Sequence, residues 1–194
     1  MFRPAPCLAL AILLLTACVE TLDVSHSIAP SRPASEKSAE RVGVLCSEDL
    51  LAGSVQAAIF KVEFGEPLCA ASVRSVEASF RAAERSPAMP FVGQYGRVIG
   101  FDLQSSALTI EHGEAGAIRA TCALTVTVQR YGKDLRRVGA RAVSGYAQVE
   151  HKGEPEALVR EAVEAAIQQI ADDAQTLLLA GIDGPRQREA APEP

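Results

Sequence analysis

Tryptophan is absent from this sequence of 194 residues, and aromatic residues make up only 5% of it. Because hydrophobic residues as a whole account for 48% of the chain, a core must be built mainly from valine, leucine, isoleucine and alanine. The length suffices for one domain of ordinary size with a substantial core. We therefore expect a single domain whose interior is aliphatic.

An excess of basic charge is also missing. The chain carries 24 acidic and 19 basic residues, which gives a formal net charge of −5. Proteins that bind nucleic acids present a concentrated basic surface to the phosphates, and electrostatic docking on anionic lipid headgroups requires such a surface as well. The composition therefore argues against a nucleic-acid partner and against membrane binding by charge alone.

Familiar catalytic and metal-binding motifs are missing too. The sequence contains no CxxC pair, no paired histidines at zinc-ligand spacing, no GxSxG, no P-loop and no GxGxxG. Glu111, His112 and Glu114 are close enough in sequence to hold a divalent cation, but a solvated hairpin loop accounts for them as well. We predict no catalytic residue, no metal and no cofactor.

The N-terminal segment contains a short apolar run, residues 8–15, preceded by Arg3. A helix of that length rises about 12 Å, whereas the hydrocarbon core of a bilayer is about 30 Å thick. The run is therefore too short to span a membrane and has the character of a cleavable signal peptide, residues 1–17.

The residues that end this run, Leu15-Thr16-Ala17-Cys18, resemble the bacterial lipobox. The resemblance implies cleavage between Ala17 and Cys18 and a covalent lipid on Cys18 as the mature N-terminus. The alternative is an ordinary signal peptide followed by an unrelated cysteine. Bacterial lipoproteins generally carry three acyl chains, which implies a stable membrane anchor since each buried methylene contributes about 0.8 kcal/mol.

Two terminal segments have the composition of unstructured chain. Residues 19–40, which follow the lipidated cysteine, are rich in serine, alanine, proline and glutamate and show no sustained periodicity. They are typical of a flexible tether, so residues 18–40 are interpreted as a lipidated N-terminus and tether. Residues 183–194 are expected to be a disordered tail. The folded domain is predicted over residues 41–182.

Within that domain, periodicity predicts strands, two amphipathic helices and one ambiguous segment, residues 55–64, that fits a strand or an irregular edge. Residues 119–130 alternate cleanly between apolar and polar positions, as a half-buried antiparallel strand does. The predicted strands are 41–46, 97–110, 119–130 and 135–149, and the predicted helices are 67–85 and 154–181. We expect an α+β fold, a two-layer sandwich with two helices on one face of a mainly antiparallel four-stranded sheet, in the order β-α-β-β-β-α.

Three cysteines remain in the predicted domain, Cys46, Cys69 and Cys122, and an odd number cannot all pair. The periplasm is oxidising and permits a disulfide. Cys69 and Cys122 both lie on apolar stripes predicted to face the core, so they are the candidate pair. The alternative is that all three are small buried apolar side chains.

A cluster of basic residues surrounds the predicted turn at residues 131–134, in contrast to the negative charge of the whole chain. Its members are Arg130, Lys133, Arg136, Arg137 and Arg141. Such a cluster is suited to an acidic partner or to the phosphates of lipopolysaccharide. The alternative is a solvated strand face.

Taken together, the LTAC motif, the segment FGEPLCAASVRSVEASFRAAE, the threonine-rich strand and the segment EALVREAVEAAIQQIADDA resemble small proteobacterial outer-membrane lipoproteins. Two groups are similar, the YajG-like lipoproteins and the lipopolysaccharide-assembly lipoprotein that plugs a β-barrel translocon. The resemblance, together with Val19 rather than aspartate after the cysteine, implies an outer-membrane anchor and a domain that faces the periplasm.

The function expected on these grounds is that of a non-enzymatic accessory or scaffold of the cell envelope. Its partners would be the membrane, through the lipid, and an envelope protein complex or an outer-membrane barrel. The alternative is a module that binds lipopolysaccharide or cell-wall components through the basic cluster. A third hypothesis, an envelope hydrolase, requires a nucleophile and a base within hydrogen-bond reach.

Overall fold

The computed structural model describes residues 19–31, 37–113 and 116–180. The signal segment, Ala17, Cys18 and the predicted tail 183–194 lie outside the described residues. The elements in chain order are β1 (Glu20–Leu22), β2 (Ser38–Cys46), α1 (Glu48–Leu51), β3 (Ser54–Ala57), β4 (Phe60–Glu63), α2 (Gly65–Ser79), β5 (Phe80–Arg85), β6 (Arg97–His112), β7 (Ile118–Tyr131), β8 (Arg137–His151) and α3 (Pro155–Ala180).

The main sheet has five strands in the order β5-β2-β6-β7-β8. Strands β5, β2 and β6 run parallel, while β6, β7 and β8 form a long antiparallel meander. A second sheet of three strands, β1-β4-β3, packs beside it. The α+β class is thus confirmed. The prediction of one four-stranded, mainly antiparallel sheet with two helices is wrong, because the described residues form two mixed sheets and a third, short helix.

Strand β7 has the alternation that the sequence predicts. Its inward side chains are fully buried, and helix α3 covers that face. The inward residues are Ala120, Cys122, Leu124, Val126 and Val128. The outward residues, mostly threonines, are only partly covered. Burial on one face and solvent on the other explains why this strand was readable from the sequence alone.

The first long helix ends six residues earlier than its apolar spacing predicts. Helix α2 stops at Ser79, and Phe80 has extended backbone angles. Residues 80–85 instead form β5, in which Ala83 pairs with Val42 of β2. The helical spacing of Phe80 and Ala83 was misleading, because pairing with β2 satisfies the backbone groups of both strands, whereas a continued helix would leave that edge of β2 unpaired. The ambiguous segment 55–64 is found to form most of the β3–β4 hairpin.

The prediction of a flexible tether is wrong for residues 19–31. Glu20–Leu22 forms β1, which pairs with β4, and Leu22 and Val24 are buried in the core. Beyond them, the amide of Ser31 donates a hydrogen bond of 2.6 Å to the carboxylate of Asp172 on α3. The polar composition concealed an apolar alternation, Leu22 and Val24, whose burial offsets the entropy of ordering the segment.

The predicted helix 154–181 is observed as α3, residues Pro155–Ala180. The predicted stripe faces the sheet, with Val159, Val163, Ile167, Ile170 and Ala174 fully buried. In the described part of the chain, no helix is both long enough and apolar enough to cross a bilayer.

Helix α3 lies unusually close to β8 at Gly145. A β-carbon at this position would lie 1.9 Å from the carbonyl oxygen of Ala166. We expect Gly145→Ala to lower the free energy of unfolding by about 3 kcal/mol, because helix and strand must separate to admit the methyl group. Urea denaturation measures the change.

The matched control is Gly96→Ala, whose β-carbon would approach only the side chain of Glu40, at 3.0 Å. Both substitutions restrict the unfolded chain equally, so the difference between the two variants isolates the helix–strand contact. Equal stability of the two variants would contradict the close packing of α3 on β8.

Candidate binding surfaces

The N-terminal end of the described residues is attached to the β3–β4 hairpin of the domain. The amide of Glu20 donates a hydrogen bond of 2.8 Å to the carbonyl of Ile59, in the turn between β3 and β4. Val19 and Ile59 are both 47% exposed, although both are aliphatic. The candidate lipidation residue Cys18 and its neighbour Ala17 lie outside the described residues, but Cys18 is joined covalently to Val19. We call Val19, Glu20 and Ile59 the anchor end.

The predicted basic cluster is divided between the two faces of the main sheet. Arg141 pairs with the buried Val128, so it lies on the face that carries the helices. Arg130, two residues after Val128, shares that face. Arg137 pairs with Tyr131 across a register shift and lies on the opposite face. The five side chains therefore do not converge on one ligand, because the strand pleat separates residues that the sequence places side by side.

The environment of Arg130 also separates it from the other basic residues. Burial, and then the nearby charge of Arg97, lowers the pKa of Arg130, while Glu40 acts in the opposite sense. Glu40 forms an ion pair of 3.1 Å with Arg97. Arg130 thus belongs to a charged group at the junction of β2, β6 and β7, and only Lys133 and Arg136 lie in the exposed turn itself.

A second exposed surface, which the sequence analysis did not single out, lies next to that turn. Phe91 is 86% exposed and Val92 is 71% exposed, in the loop between β5 and β6. The amide of Gly93 donates a hydrogen bond of 3.1 Å to the carbonyl of Lys133, which joins the loop to the β7–β8 turn. We call this surface the tip and define it as Met89, Phe91, Val92, Lys133, Arg136 and Val138.

The loop that carries Phe91 is held at both ends. At its start, the amide of Ser86 donates to the carbonyl of Val44 at 2.8 Å. At its end, Tyr95 is buried against Gly43, where a β-carbon would lie only 2.7 Å from the ring, and the guanidinium of Arg41 stacks over that ring at 5.2 Å. The exposure of Phe91 and Val92 is therefore imposed by a supported loop. The signal in the sequence was the run MPFVG, in which proline and glycine enclose apolar residues that no regular element can bury.

A cleft of about 730 Å³ lies between the N-terminal segment, the β3–β4 hairpin and the start of α2. Three of its charged side chains have partners: Lys61 contacts Glu63 at 2.7 Å, and Glu66 forms two hydrogen bonds with Arg85. The hydrogen bond from Arg85 is the main reason that the pKa of the Glu66 carboxyl is lowered. The Glu66 carboxylate is therefore ionised and engaged in an ion pair with Arg85 at neutral pH. Of the trio considered for a cation, Glu114 lies outside the described residues.

The predicted pairing of Cys69 with Cys122 is wrong. Cys69, in the first turns of α2, forms a disulfide with Cys46 at the end of β2, with 6.0 Å between the Cα atoms. Cys122 is a free thiol buried in the middle of β7, and burial raises its pKa to about 12. All three cysteines do face the core. The apolar stripes predicted this orientation for Cys69 and Cys122 but not which inward positions lie opposite each other.

No family model matches the sequence, and no curated protein matches it. Among solved structures, the chain is similar to protein XCC0632 of family DUF330 from Xanthomonas campestris, with a TM-score of 0.57 and 13% identity over 82% of this chain and 94% of that one. A minor lipoprotein from Acinetobacter baumannii gives a TM-score of 0.44 at 9% identity, covering 75% of this chain and 94% of the other. A PelC dodecamer from Paraburkholderia phytofirmans gives 0.37 at 10% identity, covering 74% and 93%. The first similarity shows that this α+β fold is shared with a protein of family DUF330.

The cysteine arrangement has a measurable consequence. We expect the double variant Cys46→Ala/Cys69→Ala to lose about 3 kcal/mol of unfolding free energy, because the disulfide closes a loop of 23 residues in the unfolded chain. Dithiothreitol should destabilise the wild-type protein by a similar amount and leave the double variant unchanged. Urea denaturation with and without the reductant measures both effects.

The free thiol provides an independent check. Cys122 should not react with a thiol reagent at pH 8 in the native protein, since it is buried and its pKa is raised to about 12, and it should react once the protein is unfolded. Peptide mapping that recovered Cys69 linked to Cys122 would contradict the observed pairing.

Proposed function

We propose that this protein is a lipid-anchored lipoprotein of the bacterial cell envelope that acts as a non-enzymatic accessory or scaffold. In this proposal a lipid on Cys18 attaches it to the outer membrane, the domain faces the periplasm, and the tip binds an envelope protein complex or an outer-membrane barrel. The observation that carries the proposal is the tip itself, where Phe91 and Val92 are presented to solvent by a supported loop.

The composition of the tip is that of a protein-binding surface. Exposed apolar patches on soluble domains commonly mark interaction sites, and interface centres are enriched in aromatic side chains and arginine. Here an aromatic and two aliphatic side chains, Phe91, Val92 and Val138, lie beside Lys133 and Arg136. A matching partner would offer an apolar pocket with an acidic rim.

The state of the cleft supports an accessory role over an enzymatic one. Two of its carboxylates, Glu63 and Glu66, are engaged by Lys61 and Arg85, and the pKa of Glu66 is lowered. A general acid in a hydrolase requires the opposite shift, toward neutral pH. The cleft is therefore best interpreted as a solvated gap between the N-terminal segment, the β3–β4 hairpin and the start of α2.

A module for lipopolysaccharide or cell-wall components is the second candidate. Arg136 supports it, because its side chain is largely exposed and makes only a long contact of 3.7 Å with the carboxylate of Asp134. The division of the other basic residues between two faces weakens it, since phosphate recognition gains from several convergent cations. The apolar tip therefore favours a protein partner.

We expect the double variant Phe91→Ser/Val92→Ser to lose its partner. Crosslinking of the tagged, lipidated protein in intact cells, followed by mass spectrometry, should recover one envelope complex in stoichiometric yield from the wild type. The double variant should recover roughly tenfold less, because each truncated hot-spot side chain typically costs more than 1 kcal/mol of binding free energy.

Tyr146→Ser is the matched control. Tyr146 is an exposed aromatic residue outside the tip, on the face of the main sheet that does not carry the helices. It should retain full recovery. Unchanged recovery by the tip variant would refute the proposal. Salt-sensitive binding of purified lipopolysaccharide that is lost in Arg136→Glu would support the second candidate instead.

A further inference from the structure

We infer that the anchor end of the domain lies directly on the surface of the lipid bilayer and that the tip is held at the side facing away from it. The inference rests on the proposed lipidation of Cys18 and deepens it, because it specifies the orientation in which the anchored domain is presented. The occupant of the anchor end is thus a phospholipid surface.

The first step is the length of chain between the lipid and the fold. Only Val19 separates Cys18 from β1, and two consecutive peptide units span at most about 7 Å. A flexible segment of twenty residues would instead give an average reach of about 25 Å. Glu20 is fixed by its hydrogen bond to Ile59 and by its register opposite Phe60. A lipid on Cys18 therefore brings the anchor end to the membrane surface.

The second step is that the following residues do not act as a hinge. The amide of Ser25 donates to Glu164 at 2.9 Å, and the side chain of Gln168 donates to the carbonyl of Ala29 at 2.7 Å. From α2, the guanidinium of Arg74 donates to the carbonyls of His26 and Ile28. The segment is thereby attached to both long helices, so the domain and its N-terminus move as one body.

The third step is direction. The contacts of residues 25–31 advance along α3 from Glu164 to Asp172, about 12 Å toward its C-terminal end. Strand β8 starts beside the tip and runs away from it to His151, and α3 then returns across β8, meeting Gly145 at Ala166. The C-terminal end of α3 is therefore on the side of the tip. Val19, which precedes these contacts, lies toward the opposite side.

The fourth step is the chemistry of the anchor end. Val19 and Ile59 provide exposed aliphatic surface, which gains free energy at the boundary between headgroups and acyl chains. Glu20 lies next to them and is costly to bury in hydrocarbon. The end is thus suited to rest at headgroup depth, with the covalent lipid supplying most of the affinity.

Site-specific fluorescence quenching tests the orientation. Ile59→Cys and Phe91→Cys are prepared as the full-length, lipidated protein and labelled with the same fluorophore; the native Cys122 is buried and its pKa is about 12, so the new thiol reacts selectively. The proteins are reconstituted in vesicles of phosphatidylethanolamine and phosphatidylglycerol that contain a lipid with a quencher on its headgroup. We expect the label at position 59 to be quenched several-fold more than the label at position 91.

A linker variant supplies the control. Insertion of a Gly-Ser segment between Cys18 and Val19 should release the anchor end and reduce the quenching at position 59 toward that at position 91. Mass spectrometry of the N-terminal peptide separates the two proposals. An unacylated Cys18 overturns the proposed anchoring and the orientation with it. An acylated Cys18 with stronger quenching at position 91, or equal quenching at both positions, overturns the orientation alone.

Discussion

The packing of α3 on strands β7 and β8 is the contact on which the rest of the structure depends. The buried stripe of the helix covers the inward face of β7, and at Gly145 the helix backbone lies against the strand with no side chain between them. Because the approach is so close, Gln169 of the helix can also accept a hydrogen bond of 2.9 Å from the amide of Tyr146, on the free edge of the sheet. One helix thus closes the core and protects part of an edge strand.

The same helix organises the N-terminal segment. Its outer side presents Glu164, Gln168 and Asp172, one turn apart, and residues 25–31 bind to these side chains in order. The sheet buries one face of α3 and the segment uses another, so residues 25–31 are attached to the body of the domain. Under the proposed anchoring, the domain would hold a partner bound at the tip at a set distance from the membrane, since the anchor end and the tip belong to one folded unit.

At the tip, a loop that is held at both ends exposes apolar side chains to solvent. Tyr95 fills the space above Gly43, and Ser86 joins the loop to β2, so the loop is ordered by polar and aromatic contacts at its ends. The side chains of Phe91 and Val92 remain exposed to solvent. The disulfide between Cys46 and Cys69 supports the other side of the core, where α2 begins.

The sequence by itself determined the elements whose side chains obey one strict period. The alternation of β7 and the buried stripe of α3 were readable because a single face of each is covered, and their observed bounds lie within two residues of the predicted ones. The lipobox resemblance is likewise a property of local sequence. Tertiary structure alone decided the features that depend on which surfaces meet. Residues 80–85 form a strand because β2 has a free edge, and residues 19–31 are ordered because α3 provides hydrogen-bond partners. Cys69 pairs with Cys46 because the end of β2 lies beside the start of α2. Periodicity records whether a residue faces inward, and it contains no information on what lies opposite.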